Sequence, residues 1–133
     1  MAYLTIALMR QYFDSRILVK LTDDTGILDP NTPTNADDNI VNLYIDDACY
    51  TVANFLRHTY DDVEPSSTPT AEIKMLAARL TWCGLWTRRA QEPTQVTELR
   101  EATMKTLHKM AVVTSDRKRD NTNKSKVSVA NRQ

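Results

Sequence analysis

The stretch AEIKMLAARLTWCGLWTRR, residues 71–89, decides the fold class of this 133-residue chain. Read as a helix at about 100° per residue, it places apolar residues on two opposite faces that are separated by narrow polar seams. One face carries Ile73, Leu76, Ala77, Leu80 and Gly84, and the other carries Met75, Ala78, Trp82, Leu85 and Trp86. A helix with two apolar faces is predicted to lie between other elements, as the central helix of a bundle. The alternative is that the Trp82 and Trp86 face packs against a neighbouring subunit.

Turn-forming residues divide the rest of the chain into shorter periodic segments. All five prolines and Gly26 fall between these segments and not inside them. Two short helices are predicted near the N-terminus, one capped by Thr5 and one that begins after Asp14 or Ser15. No segment shows strand-like alternation of convincing length. The fold is therefore predicted to be all-α, a compact bundle of four to five helices with an extended C-terminal tail.

The two central helices have predicted caps. Asn35 is expected to cap a long helix that reaches His58. Thr68 or Thr70 is expected to cap the helix of residues 71–89, with Pro69 in its first turn.

The C-terminal residues differ in composition from the rest of the chain. A last helix is predicted to follow Pro93 and to end around Thr114, which divides the chain into a helical domain, 1–114, and a basic polar arm, 115–133. This arm has six basic residues against two acidic ones, a net charge of +4 in a chain whose formal net charge is zero. A basic arm often finds its partner through charge, and an idle polar tail is the alternative.

An acidic region precedes the central helix. From Leu21 to Leu56 there is no Lys or Arg, yet seven aspartates occur there: Asp23, Asp24, Asp29, Asp37, Asp38, Asp46 and Asp47. Such a surface repels DNA phosphates. The sequence therefore disfavours a conventional DNA-binding domain.

No pattern of residues indicates catalysis, a metal site or a cofactor site. The two glycines are far apart and form no phosphate-binding loop, and His58 and His108 lack a second ligand at metal-binding spacing. Cys49 and Cys83 are interpreted as buried free thiols in a reducing, cytoplasmic setting. No apolar run approaches the ~20 residues of a membrane span. We therefore expect no enzyme, no cofactor and no membrane contact.

Several weak motifs occur in a recognisable order over residues 1–113. They are LTDD at residues 21–24, an Asp47-Ala48 step, a loop with Tyr60 and Pro65, and the Arg88-Arg89 pair followed by Pro93. In their order and spacing the chain resembles the Mu-like phage family of small head-tail connector proteins, also called adaptor or head-completion proteins. It departs from the usual pattern in its Pro/Thr/Asn-rich loop, residues 29–37, and in its longer C-terminal tail.

The resemblance implies a helical structural protein of the virion neck, present in the host cytoplasm during assembly. Its expected partners are the portal protein, a tail or stopper protein, and copies of itself in a ring of twelve. Double-stranded DNA would pass through the ring without sequence-specific binding. The alternative function is a small cytoplasmic helical regulator that binds nucleic acid through its basic tail.

Three groups of residues are expected to serve the connector role. A portal-docking arm would use Arg117, Lys118, Arg119, Lys124, Lys126, Val127 and Val129, with KVSVA, residues 126–130, as an extended anchor. The acids expected to face the channel are Asp23, Asp24, Asp37 and Asp38. A subunit interface is expected at Trp82 and Trp86. Docking of the arm on a neighbouring subunit, or on nothing, stays open.

Overall fold

The computed structural model of the chain describes residues 3–90 and 92–130, with side chains as far as Val112. These residues form five α-helices and one short 3-10 turn, and no strand occurs among them. The elements are α1 (Ile6–Tyr12), α2 (Ser15–Thr22), the 3-10 turn (Pro33–Asn35), α3 (Asp38–Leu56), α4 (Ala71–Arg88) and α5 (Thr94–Ala130). The predicted all-α bundle is confirmed. Within the described part of the chain, no helix is long and apolar enough to cross a membrane.

The helix α4 lies at the centre of the bundle. It packs against α3 and α5, and α2 contacts it as well. Residues on both of its faces are buried: Ile73, Leu76, Ala77, Ala78, Thr81, Trp82, Cys83 and Leu85. Full burial of each large aliphatic side chain contributes about 1.5–3 kcal/mol. The predicted position of this helix between other elements is confirmed.

A glycine sets the distance between α3 and α4. A Cβ atom at Gly84 would lie 2.8 Å from Cδ1 of Tyr44, which is closer than such carbon atoms approach. The missing side chain therefore lets the Tyr44 ring lie directly against the backbone of α4.

Three of the predicted helix caps are present. The Thr5 hydroxyl accepts from the Leu8 amide at 3.2 Å, and the Asp14 carboxylate accepts from the Arg16 amide at 2.9 Å. Thr70 caps α4. Each cap satisfies a backbone donor that the first helical turn leaves without a partner.

The predicted cap of α3 at Asn35 is wrong. The helix begins at Asp38, and the carboxylate of Asp37 accepts hydrogen bonds from the backbone amides of Asn39 and Ile40. Asn35 instead ends the 3-10 turn, and its side-chain amide donates to the carbonyl of Asp29 at 3.0 Å. An aspartate directly before the helix is a strong cap, and Asn35 is already held by the loop.

Two helix ends also differ from the prediction. The helix α3 ends at Leu56, before His58. Pro69 lies before the cap of α4 and not in its first turn.

The last helix does not end at Thr114. It continues to Ala130, so residues 126–130, expected to be an extended anchor, belong to a helix. The physical reason is that no Pro or Gly follows Pro93. Once a helix is nucleated, each further residue adds a hydrogen bond at little cost. The absence of apolar residues alone is therefore no stop signal.

Candidate functional site

The side chain of Asp23, the first of the acids expected to face the channel, points into the loop that follows α2. The residue is 6% exposed. Its carboxylate accepts from the Thr25 hydroxyl at 2.7 Å and from the backbone amides of Thr25, Gly26 and Leu28 at 2.9–3.0 Å. The bond from the Thr25 hydroxyl, followed by those from the amides, lowers the pKa of Asp23 although its burial acts in the opposite direction. Asp23 thus organises the loop after α2 instead of pointing outward.

The second acid, Asp24, is paired with two arginines of α4 and its C-terminal cap. Both carboxylate oxygens lie 2.7 Å from Nη2 of Arg88, and Nη1 of Arg89 lies 3.3 Å from Oδ1. Arg88 also donates to the carbonyl of Leu21 at 3.1 Å. Two stretches that carry the family resemblance, residues 21–24 and the arginine pair, therefore meet in space. Asp24 is exposed, but its charge is offset by these cations.

The other two expected acids lie at the start of α3. Asp37 is exposed, and its carboxylate accepts from the Asn39 and Ile40 amides at 3.0 and 3.2 Å. Asp38 is exposed and lies 4.0 Å from Nη2 of Arg10. These two residues and the loop before them form an acidic edge at one end of α3.

A second exposed surface lies further along α3. Leu43 is 67% exposed and Tyr50 is 56% exposed, and both lie on the side of the helix away from the core. Asp46 and Asp47, which are also exposed, flank them. We call these four residues the outer face of α3. The sequence analysis identified the two acids of this face but not its two apolar residues. Leu43 and Tyr50 are seven positions apart and lie outside the core stripe, so this spacing could have indicated a second apolar strip on the same helix.

A cleft of about 340 Å³ lies beside this face, between α3, α4 and α5. Its lining includes Tyr44, Asp47, Thr51, Leu80, Arg88 and Arg100. The guanidinium of Arg100 is held there through Nη2, which donates to the Cys83 carbonyl at 3.1 Å and to the Thr87 hydroxyl and pairs with Glu92. The cleft therefore has a fixed polar wall.

The carboxylate of Glu92 connects the end of α4 with the start of α5. It accepts from the hydroxyls of Thr87 at 2.9 Å and Thr97 at 2.5 Å, as well as from Arg100. The hydrogen bond from Arg100, followed by those from the two threonines, lowers the pKa of Glu92 to about 2. This network fixes the turn between the two helices.

The two tryptophans differ in their surroundings. Trp82 is 9% exposed, and its ring stacks on Phe13 with 4.4 Å between centroids and 6° between planes. Trp86 is half-buried and meets Trp82 edge to face at 6.3 Å. Trp82 therefore belongs to the core of its own subunit, and Trp86 is the one with surface left for a neighbour.

The expected arm residues lie in the C-terminal part of α5. The backbone of residues 113–130 is helical, and the side chains of Arg117, Lys118, Arg119, Lys124, Lys126, Val127 and Val129 lie outside the described part of the structure. Their docking partner stays a prediction.

The cysteines are confirmed as buried free thiols. Cys49 and Cys83 form no disulfide, and burial raises the pKa of both. Among the described residues, no three His, Cys, Asp or Glu side chains come together in a group that could hold a metal ion.

The chain matches a known protein family. A family model described as "Bacteriophage Mu, Gp36" matches residues 3–130. No curated protein and no solved structure matches the chain.

Proposed function

The chain belongs to the bacteriophage Mu Gp36 family, and on this premise we propose that it is a structural protein of the virion, a connector between head and tail. Copies of it would form a ring in the neck, between the portal protein and the tail or stopper protein. The DNA exit channel would run through this ring.

The observation that carries the proposal is the acidic edge between α2 and α3. No Lys or Arg occurs from Leu21 to Leu56, and the loop is held in a defined conformation by the buried carboxylate of Asp23. Asp37 and Asp38 are exposed at this edge. Arg10 of α1 lies 4.0 Å from Asp38 and offsets part of its charge, whereas Asp29 and Asp37 add further exposed negative charge to this edge. An ordered surface with an excess of negative charge repels phosphates, which suits a wall along which DNA slides.

The role in the neck is tested by imaging the protein with the portal. We expect a ring of copies on the portal, with the acidic edge toward the axis. A protein that fails to bind the portal, or that binds as isolated copies away from the axis, would contradict the proposal.

The channel-facing role of the edge is tested by a charge change that keeps the helix cap. The double variant Asp37→Asn/Asp38→Lys retains a side-chain acceptor at the cap while it adds positive charge. We expect it to assemble normally and to slow DNA ejection, because a cation in the channel binds passing phosphates.

A matched control uses another pair of exposed acids, Asp61 and Asp62, in the loop between α3 and α4. The variant Asp61→Asn/Asp62→Lys changes the net charge equally and should leave ejection unchanged. Equal ejection rates in both assembled variants would contradict the proposal that the acidic edge faces the channel.

The competing function, a regulator that binds nucleic acid, is tested through the basic residues in the C-terminal part of α5. A nucleic-acid-binding regulator would bind DNA through its basic residues, with affinity that falls steeply as salt rises. A gel shift at low and moderate salt measures this. A connector is expected to show no salt-dependent DNA shift at micromolar concentration.

A further inference from the structure

The outer face of α3 is an apolar stripe with acidic flanks. Leu43 and Tyr50 lie seven residues, or about 10 Å, apart along the helix. Asp46 and Asp47 lie between them in the sequence and diverge by about 100° around the helix. Single exposed apolar residues are common on protein surfaces. Here two large ones, both more than half exposed, lie on the same strip of one helix and together present apolar surface to solvent.

The direction of α5 shows where its C-terminal part leaves the bundle. Arg100 lines the cleft together with Asp47 and Thr51 of α3, and eight residues later the His108 ring lies 4.7 Å from Phe55. Along α5 the contacts thus move toward the C-terminal end of α3. A further 22 residues follow His108, a length of about 33 Å as a continuous helix. The C-terminal part therefore extends away from the end of α3 that carries Leu43.

The charges of the two surfaces are complementary. Residues 113–130 contain five basic and two acidic residues, a net charge of +3, whereas the outer face of α3 carries two acids and no base. Complementary charge of this kind steers association and fixes register. A continuous helix that points away from its own Leu43 does not reach it, so an outer face of α3 that residues 113–130 could meet is that of another copy.

We propose that the C-terminal part of α5, residues 113–130, docks on the outer face of α3 of the next copy. Such a contact joins two different patches and is heterologous, the kind that generates rings when the rotation closes. This proposal identifies the contact between subunits of the proposed ring, and in that respect it rests on the proposed function. The contact itself is a property of the protein alone and is measurable without the portal.

Zero-length cross-linking of the full chain tests the contact directly. A carbodiimide joins a carboxylate to an amine only when the two groups touch, and mixed isotope-labelled and unlabelled copies separate links between copies from links within one. We expect links between copies from Lys118, Lys124 or Lys126 to Asp46 or Asp47. The exposed acids Asp61 and Asp62 serve as the internal control. Absence of links at α3, or equal yields at the control acids, would overturn the proposal.

An exchange of charge gives a second test that does not depend on cross-linking chemistry. The variants Asp46→Lys/Asp47→Lys and Arg117→Glu/Lys118→Glu should each lower self-association about tenfold, since each places like charges opposite one another. A chain that carries all four substitutions should recover it. Failure to recover, with helical content unchanged by circular dichroism, contradicts the contact.

Portal binding distinguishes this proposal from the proposed function. Recovery of self-association in a protein that does not bind the portal supports the contact and contradicts the connector role. Portal binding with arm lysines linked only to portal carboxylates contradicts the contact and supports the connector role.

Discussion

The helices α3 and α4 have nearly the same length, 19 and 18 residues, but only α4 is covered on both faces. The buried residues of α4 lie on both of its apolar faces, whereas α3 buries one face and exposes Leu43 and Tyr50 on the other. The difference separates two kinds of apolar residue. Those of α4 stabilise the subunit, and those on the outer face of α3 are available to a partner.

The largest expected effect comes from truncation of a buried residue of α4. Leu85 is fully buried, and Leu85→Ala should lower the free energy of unfolding by about 2–5 kcal/mol, through lost burial and the cavity left behind. The matched variant Leu43→Ala on the outer face of α3 should change it by less than about 0.5 kcal/mol. Urea unfolding measures both. Similar losses in the two variants would erase the distinction between the helices.

A smaller effect is expected where the two helices touch. In Gly84→Ala, the new methyl group meets the Tyr44 ring at 2.8 Å, and overpacking of this kind costs about 1–3 kcal/mol. The higher helix propensity of alanine offsets about 1 kcal/mol of it. In a chain that already carries Tyr44→Leu, Gly84→Ala should cause no further destabilisation, because the smaller side chain at position 44 leaves room for the new methyl group. A double-mutant cycle by urea unfolding tests this, and additive effects would contradict a direct clash.

The pH dependence of stability tests the turn that follows the C-terminal end of α4. Because the folded-state pKa of Glu92 is lowered to about 2, its contribution is present above the ordinary range near 4.5 and is lost as pH falls toward 2. Glu92→Gln should therefore flatten the loss of unfolding free energy between pH 5 and 3. Other carboxyls with lowered pKa, such as Asp23, account for the loss that remains.

The control for this measurement is Glu98→Gln, which changes an exposed acid in α5, six residues after Glu92. It should follow the wild-type pH profile. A profile for Glu92→Gln that equals the wild-type profile would show that the network around Arg100 holds the turn without the charge of Glu92.

The central features of the fold could be predicted from the sequence because they depend on periodicity. The two apolar faces of α4 follow from spacing alone. The residue types before the first two helices indicate the cap at Thr5 and leave Asp14 and Ser15 open for α2. The predicted cap of α3 at Asn35 is wrong because the choice of cap depends on how the loop before the helix folds, and Asp37 forms the cap. The predicted end of α5 at Thr114 is wrong because polar composition does not end a helix where no Pro or Gly follows.

The candidate site could be predicted only as a composition. The sequence revealed a base-free acidic region, but it could not tell an exposed acid from one that faces inward. Asp23 is buried because its loop turns three backbone amides toward its carboxylate, an arrangement set by local backbone conformation. Asp24 meets Arg88 only after the chain has folded, because 64 positions separate them.

The smallest effect on stability is expected from changes at the outer face of α3. These changes test the proposed function of that surface most directly. The double variant Leu43→Ser/Tyr50→Ser removes the apolar stripe and leaves Asp46 and Asp47 in place. The free energy of unfolding should stay within about 0.5 kcal/mol of the wild type, because both side chains already face water. Self-association, measured by sedimentation of the full chain, should weaken even though the charges remain. If association depends on the acids alone and survives this variant, the stripe is an ordinary surface feature and α3 differs from α4 only in its burial.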